Sequence, residues 1–472
     1  MDYKEKFSAQ SDLLKVVESK RIHEPMNEIS LQSVKLTPDQ EECLNFVLNN
    51  ITIQQTNRNM PENEMISIIS ECYLYINELL PTLQNQMITL LEEKGFKCII
   101  DLLSIQQLRP ETIRVFQNLF YPDMNEFQIQ IINSSISMMF LTNLSNLLNQ
   151  KNHNDHKLIL NLISNLLSTS TCFRDYFLTS NTLITSINSL SDDFPHSCLN
   201  IYISLLEGPQ INPDQERIVL KFAVDTCLYS GRSKFHKLLK VLSKLVFLKE
   251  SPAKSIILEE HLVDHLTIQA EVGKFHNQIS SLRILQEISK YPEFFSEMKR
   301  FGTLKALVNI ITANYNDDRL IFSTNILSNF INICPNQNEM KIIAEKVKNI
   351  KFSALMNSYS YILKKSSLII LSKICCYYEI DLLTDILNPD LIGLINSMID
   401  DQDIDIINAS IDIYNILLNS VGQGSDLQRE IANKIRYEVD IEEVLDSIDD
   451  NEELIEKIDQ FRNLVENILG DE

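Results

Sequence analysis

Residues 161–190 read NLISNLLSTSTCFRDYFLTSNTLITSINSL. Apolar residues recur every three or four positions in 161–167, the period of a helix that buries one face. A polar break follows, then Arg174-Asp175-Tyr176, then a second apolar helical stretch that closes on Asn188-Ser189-Leu190. Around Asn165 stands a short pattern: an apolar residue, a small or polar one, a slot, then two mostly apolar ones. The same pattern returns along the chain with its slot at Asn77, Asn118, Leu205, Lys244, Glu287, Asn329, Lys373 and Asn415, at intervals averaging about 42 residues. That is the period of armadillo and HEAT solenoids, in which each unit is two or three helices stacked on its neighbours.

A second landmark trails each slot by about twenty residues. EKGFKCIIDLL (93–103) and KRFGTLKALVNII (299–311) show it with glycine, LTSNTLITSINSL (178–190) has Asn181 in its place, and LNPDLIGLINSMI (387–399) has Asn388-Pro389. Glycine or asparagine between helices supplies a left-handed turn. Each unit therefore reads as a short first helix, a second helix and a longer third helix carrying the slot, which favours armadillo over HEAT.

Composition agrees. The chain has 472 residues, more than one hydrophobic core organises. Nine glycines leave little for hairpins and bulges, so the chain reads as all-α. The net charge of −22 argues against a nucleic-acid or anionic-membrane binder. Nine cysteines without a C-x-x-C read as reduced core thiols of a cytosolic or nuclear protein. The opening MDYKEKFSAQ is polar and charged, which predicts no signal peptide, and no apolar run has the length of a membrane span.

Residues 1–37 fit no repeat and read as a flexible arm, 38–424 as the repeats, and 425–472 as a capping repeat with an acidic tail. Within that cap, 438–460 holds eleven acids and one base yet keeps helical apolar spacing. Residues 36–50 read as a helix capped by Thr37, and 51–63 as a loop.

The stretch Asn165…Arg174-Asp175-Tyr176-Phe177-Leu178 resembles an armadillo unit of the importin-α family. RLIFSTNILSNFINICPNQNEM (319–340), LRILQEIS (282–289), LINSMIDDQDIDIINASIDIYNILLN (394–419) and the acidic end (442–472) are similar to later units in the same order. The resemblance covers about residues 64–472. It implies a right-handed armadillo superhelix of about ten units and a nuclear import adaptor, present in cytoplasm and nucleus. Such an adaptor holds an extended nuclear localisation signal of its cargo in a concave groove and engages importin-β and an export receptor. It implies no cofactor, no catalysis and no metal.

By that resemblance Asn118, Asn165 and Asn329 match a ladder of asparagines that bond the peptide backbone. Arg283 matches an arginine of the preceding unit. The tryptophans that wall lysine slots in the family are replaced by Arg114, Asn161 and Asn325, and an aspartate by Thr169. Leu205 occupies the next rung. Arg114 repels a basic peptide, and the missing walls remove cation–π attraction, so binding of basic signals is expected to be weak or altered. Residues 1–40 hold six Lys/Arg and seven Asp/Glu, so the basic importin-β arm is reduced or missing. The alternative is an armadillo interaction scaffold without transport activity, favoured if the groove is neutral or basic around Arg114 and Lys240. Arg174-Asp175 reads as a joint between units. His261 and His265 in HLVDH, and NHNDH (152–156), have metal-like spacing but no completing ligand.

Overall fold

The computed structural model describes residues 103, 105–119, 138–150, 153–169, 171–207, 211–229, 235–313, 318–379, 382, 383, 386, 389–399, 403–422, 424–439, 441–446 and 451–470. The arm at 1–37, the expected helix at 36–50, the loop at 51–63, the slot Asn77, the glycine turn at 93–103 up to residue 102, and Asn388 lie outside them. The chain divides into two compact units, Met1–Pro209 and Gln210–Glu472. All regular elements among the described residues are helices.

In the first unit, α1 (Arg109–Leu119), α3 (His153–Thr169) and α6 (Pro195–Glu207) stack side by side as third helices. Between them come α2 (Met138–Leu148), α4 (Thr171–Thr179) and α5 (Asn181–Ser189). Ser180 caps α5, its hydroxyl accepting from the Leu183 N–H. A side-chain cap thus makes the turn expected to use a left-handed Asn181: among the described residues only His261 and three glycines have positive φ.

The second unit repeats a three-helix motif. Its helices are α7 (Pro213–Tyr229), α8 (Phe235–Leu245), α9 (Ala253–Glu259), α10 (Leu262–Val272), α11 (Phe275–Ile288), α12 (Phe295–Arg300), α13 (Thr303–Thr312) and α14 (Asp318–Asn332). They continue as α15 (Gln337–Val347), α16 (Phe352–Met356), α17 (Tyr361–Ile374), α18 (Pro389–Ile399), α19 (Ile404–Ser420), α20 (Asp426–Glu438), α21 (Ile441–Asp446) and α22 (Glu452–Leu469). The sets α9-α10-α11 and α12-α13-α14 follow the expected short-medium-long order. Departures occur. α7 is one continuous helix where a short and a second helix were expected, and in α15-α16-α17 the first helix is longer than the second, as it is in the capping set α20-α21-α22.

Local chemistry explains the boundaries. Gly302, at φ 71°, makes the left-handed turn between α12 and α13, as the sequence predicts. His261, at φ 52°, does so between α9 and α10 without glycine. Asn336, Ser360, Asp403, Ser425 and Asn451 each accept a backbone N–H at the start of α15, α17, α19, α20 and α22. Pro195, Pro213 and Pro389 open helices where their missing N–H is harmless.

Packing forms two layers. α8, α11, α14, α17 and α19 pack in sequence order, while α10 packs on α13 and α18 on α20 behind them. Thr112 on α1, Ser281 on α11, Ser323 on α14 and Ser367 on α17 are each fully buried and stand six residues before their slots. Small side chains there let neighbouring third helices approach closely. This period was present in the sequence but hidden, because serine and threonine do not register in an apolar pattern. At the far end α22 buries Leu454, Ile458, Phe461 and Val465 and packs on α19 and α20.

Candidate functional site

A third helix packed on both neighbours and on the layer behind it keeps one stripe open. On α14 that stripe includes Asn325 and Asn329, both half-buried. On α11 it includes exposed Arg283, on α8 exposed Lys240 and Lys244, and on α17 exposed Lys373.

Polar bonds between neighbouring third helices set their register. The Asn329 amide donates to the Gln286 carbonyl (3.4 Å) and to Ser289 Oγ (3.0 Å) on the preceding unit. Arg319 donates to Gln278 (3.0 Å) and lies over the Phe275 ring at 5.3 Å. Lys365 meets Asp403 at 2.8 Å and Asp405 at 2.7 Å on α19, and the Tyr361 hydroxyl donates to the same Asp403 at 2.5 Å. Asp403 is held below the ordinary carboxylate range: burial alone would raise it, but the bonds from Lys365 and Tyr361 outweigh that.

Glu287 stands in the slot of α11 and is buried. Lys254 at 3.2 Å and Lys290 at 2.7 Å hold its carboxylate. Desolvation opposes ionisation, yet the hydrogen bonds from Lys290 and Lys254 win, and its pKa falls below the usual value. A carboxylate with a lowered folded pKa adds stability that is fully present above the unfolded pKa and is lost as pH falls through the folded one. Glu287→Gln is therefore expected to cost about 1–3 kcal/mol at neutral pH. The gap to wild type closes as pH falls below about 4. Urea unfolding from pH 7 to pH 3 checks this, and a gap independent of pH refutes the ion-pair role.

The expected site residues divide between the two compact units. In the first, Arg114 is exposed on α1, 3.8 Å from Glu111. Asn118 lies on the same helix and Thr169 ends α3, but their side chains fall outside the described residues. Asn161 and Asn165 are half-buried on α3, and Asn161 accepts from Ser197 Oγ on α6 at 3.2 Å. Leu205, at the next rung, is fully buried. In the second unit Arg283 stacks on the exposed Phe247 ring at 5.9 Å, and Asn325 and Asn329 share a face of α14. Two of the expected contacts, Asn161 and Asn329, thus also tie neighbouring third helices together.

Arg174 is buried at 3 % exposure, and its guanidinium donates to the Leu205 carbonyl at the last turn of α6. Helix ends leave carbonyls without partners, and a cation suits that negative end. Desolvation lowers its pKa, only partly offset by Asp175. It acts as the joint the sequence suggested.

Sequence reasoning did not find the charge pattern of the third-helix layer. Lys237, Lys240 and Lys244 lie on α8, which has no acid. Arg283 on α11 and Arg319 on α14 face only Glu287 and Asp318 on those helices. Lys364, Lys365 and Lys373 lie on α17, again with no acid. The signal was in the sequence, but net charge averages it away.

No group of three His, Cys, Asp or Glu among the described residues could hold a metal. His261 Nδ1 instead meets Glu297 at 3.2 Å, and the His265 ring packs on Phe235. Among the described residues no helix is long and apolar enough to cross a membrane.

No family model and no curated protein matches the chain. Solved structures do. The crystal structure of SYS-1 is similar with TM-score 0.61 and 13% identity, over 93% of this chain and 88% of that one. An engineered protein solved as a structural-genomics target is similar with TM-score 0.53 and 12% identity, over 89% and 98%. A designed armadillo repeat protein is matched over 57% of this chain and 98% of its own at 12% identity, with TM-score 0.37. The fold is an all-α armadillo-repeat solenoid.

Proposed function

We propose that the chain is a non-enzymatic armadillo-repeat scaffold. In the second unit it holds an extended segment of a partner protein against the exposed stripe of α8, α11, α14 and α17. The observation that carries this reading is the open stripe itself: polar or charged side chains at the slot or one turn before it on successive packed helices, Lys240 and Lys244, Arg283, Asn325 and Asn329, and Lys373. An amide side chain can donate to a peptide carbonyl and accept from its N–H, a grip that ignores the partner's side chains.

A second reading is an importin-α-like adaptor for nuclear localisation signals, working between cytoplasm and nucleus with importin-β and an export receptor. The half-buried asparagines at rungs 165 and 329 favour it. It ranks second because Arg114 on α1, Lys240 and Lys244 on α8, Arg283 on α11 and Lys373 on α17 are exposed and repel a lysine-rich signal.

Two single variants test the scaffold. Asn325→Ala removes a side chain with no bond to other described residues, so it is expected to weaken partner binding several-fold with unchanged unfolding. Asn329→Ala also breaks the bonds to Gln286 and Ser289, so it is expected to cost about 1 kcal/mol of stability besides. Pull-down of partners with wild type and Asn325→Ala, alongside a lysine-rich signal peptide and importin-β, reads the outcome. Identical partner capture by both proteins counts against the stripe, and tight capture of the signal peptide restores the adaptor.

A further inference from the structure

Resting on the scaffold reading, we infer that the stripe across α8, α11, α14 and α17 selects an extended acidic segment of a partner protein. The third helices in this tract carry eight Lys or Arg against two Asp or Glu. The whole chain has the opposite balance, 42 against 64. Of the two acids, Glu287 is buried and already held by Lys254 and Lys290.

Three of the exposed cations, Lys244, Arg283 and Lys373, form no ion pair with described residues, and Arg283 lies over the Phe247 ring. They stand at the slot of α8, four residues before the slot of α11, and at the slot of α17. The tract has a clear end. α19 carries Asp405 and Asp412 and no base, and Asp405 and Asp403 pair with Lys365. Cations concentrated on one face of an acidic protein are the complement of an acidic ligand, which the rest of the surface repels.

Geometry sets the length. Packed helices lie about 8–10 Å apart and an extended chain advances about 3.3 Å per residue, so one helix corresponds to about three residues of ligand. Four helices take about twelve residues, with acids about every third position. Asn325, between the cations of α11 and α17, offers donor and acceptor to the backbone of such a segment, and Asn329, whose amide already donates to Gln286 and Ser289, offers its oxygen. Nucleic acid fits less well, because the net charge of −22 repels a long polyanion beyond the stripe.

The experiment measures binding of the full chain to a labelled twelve-residue peptide with Asp or Glu at every third position, by fluorescence anisotropy. Three probes run beside it: the same peptide with Gln for each acid, the same with Lys, and a single-stranded DNA 12-mer. The acidic peptide is expected to bind best and to lose affinity as salt rises from 50 to 300 mM. The triple variant Lys244→Glu/Arg283→Glu/Lys373→Glu is expected to bind it at least about tenfold more weakly. All three side chains are exposed, and circular dichroism checks the fold. Should the variant misfold, the salt dependence and the Gln peptide decide. Equal binding of the Gln peptide overturns acidic selection and leaves the scaffold standing. Tighter binding of the Lys peptide or the DNA also overturns it, the former in favour of a basic signal. Self-association abolished in the triple variant assigns the stripe to a second copy's acidic segment and overturns a foreign partner. Binding of none of the probes removes both the acidic selection and the scaffold reading of this face.

Discussion

Phe330→Ala is expected to destabilise the second unit by about 3–5 kcal/mol, seen as a lower urea midpoint by far-UV circular dichroism. Phe330 is 1% exposed on α14, and its ring stacks on Phe295 of α12, centroids 4.5 Å apart and planes at 15°. Phe295 is itself 6% exposed. The pair joins the first and third helices of one repeat, so the loss includes the ring's transfer energy, the cavity and an aromatic contact of about 1 kcal/mol. Solenoid stability is a sum over repeats and their interfaces, so α11 and α17, which flank α14, are expected to lose protection from hydrogen exchange first. A cost below about 1 kcal/mol would mean that the site collapses around the missing ring and that the stack holds little of the repeat together.

Ser323 gives the second large effect. It is fully buried between third helices, and its hydroxyl has no hydrogen-bond partner. Ser323→Leu must push α14 away from a neighbour or into a strained rotamer, at a cost of about 1–3 kcal/mol or more. Ser323→Ala removes a hydroxyl that is desolvated without compensation, and is expected to be neutral or stabilising by up to about 1 kcal/mol. Urea midpoints of the two variants check both signs. Tolerance of leucine would show that the helices do not need a small residue at this position. Loss of stability with alanine would show that the hydroxyl is bonded in solution. Ser281 and Ser367 stand at the same place in α11 and α17, also without partners, and the same pair of substitutions is expected to repeat there with the same signs.

Much of the candidate site was legible as positions and little of it as chemistry. The rung at Asn329 followed from the period, and the side chain does lie on the open stripe of α14. Its bonds to Gln286 and Ser289 did not follow, because they depend on how far one helix is shifted along the next. Leu205 shows the same limit: the period marks it as a rung, and packing buries it completely. Asn161 stands where the resembling family has tryptophan and bonds Ser197 on the next helix, a pairing that no spacing within one helix encodes.

The sequence by itself determined the helical class, the repeat of about 42 residues, the third helix as the carrier of the slot, and the glycine turn at Gly302. These are short-range consequences of apolar periodicity and of glycine's access to positive φ. Only the tertiary structure decided that buried Ser281, Ser323 and Ser367 mark the close contacts and that Arg174 belongs to the end of α6. The reason is that a side chain's role across helices is fixed by the offset between neighbouring units. That offset is set jointly by the packing of residues some forty positions apart, and no local pattern contains it.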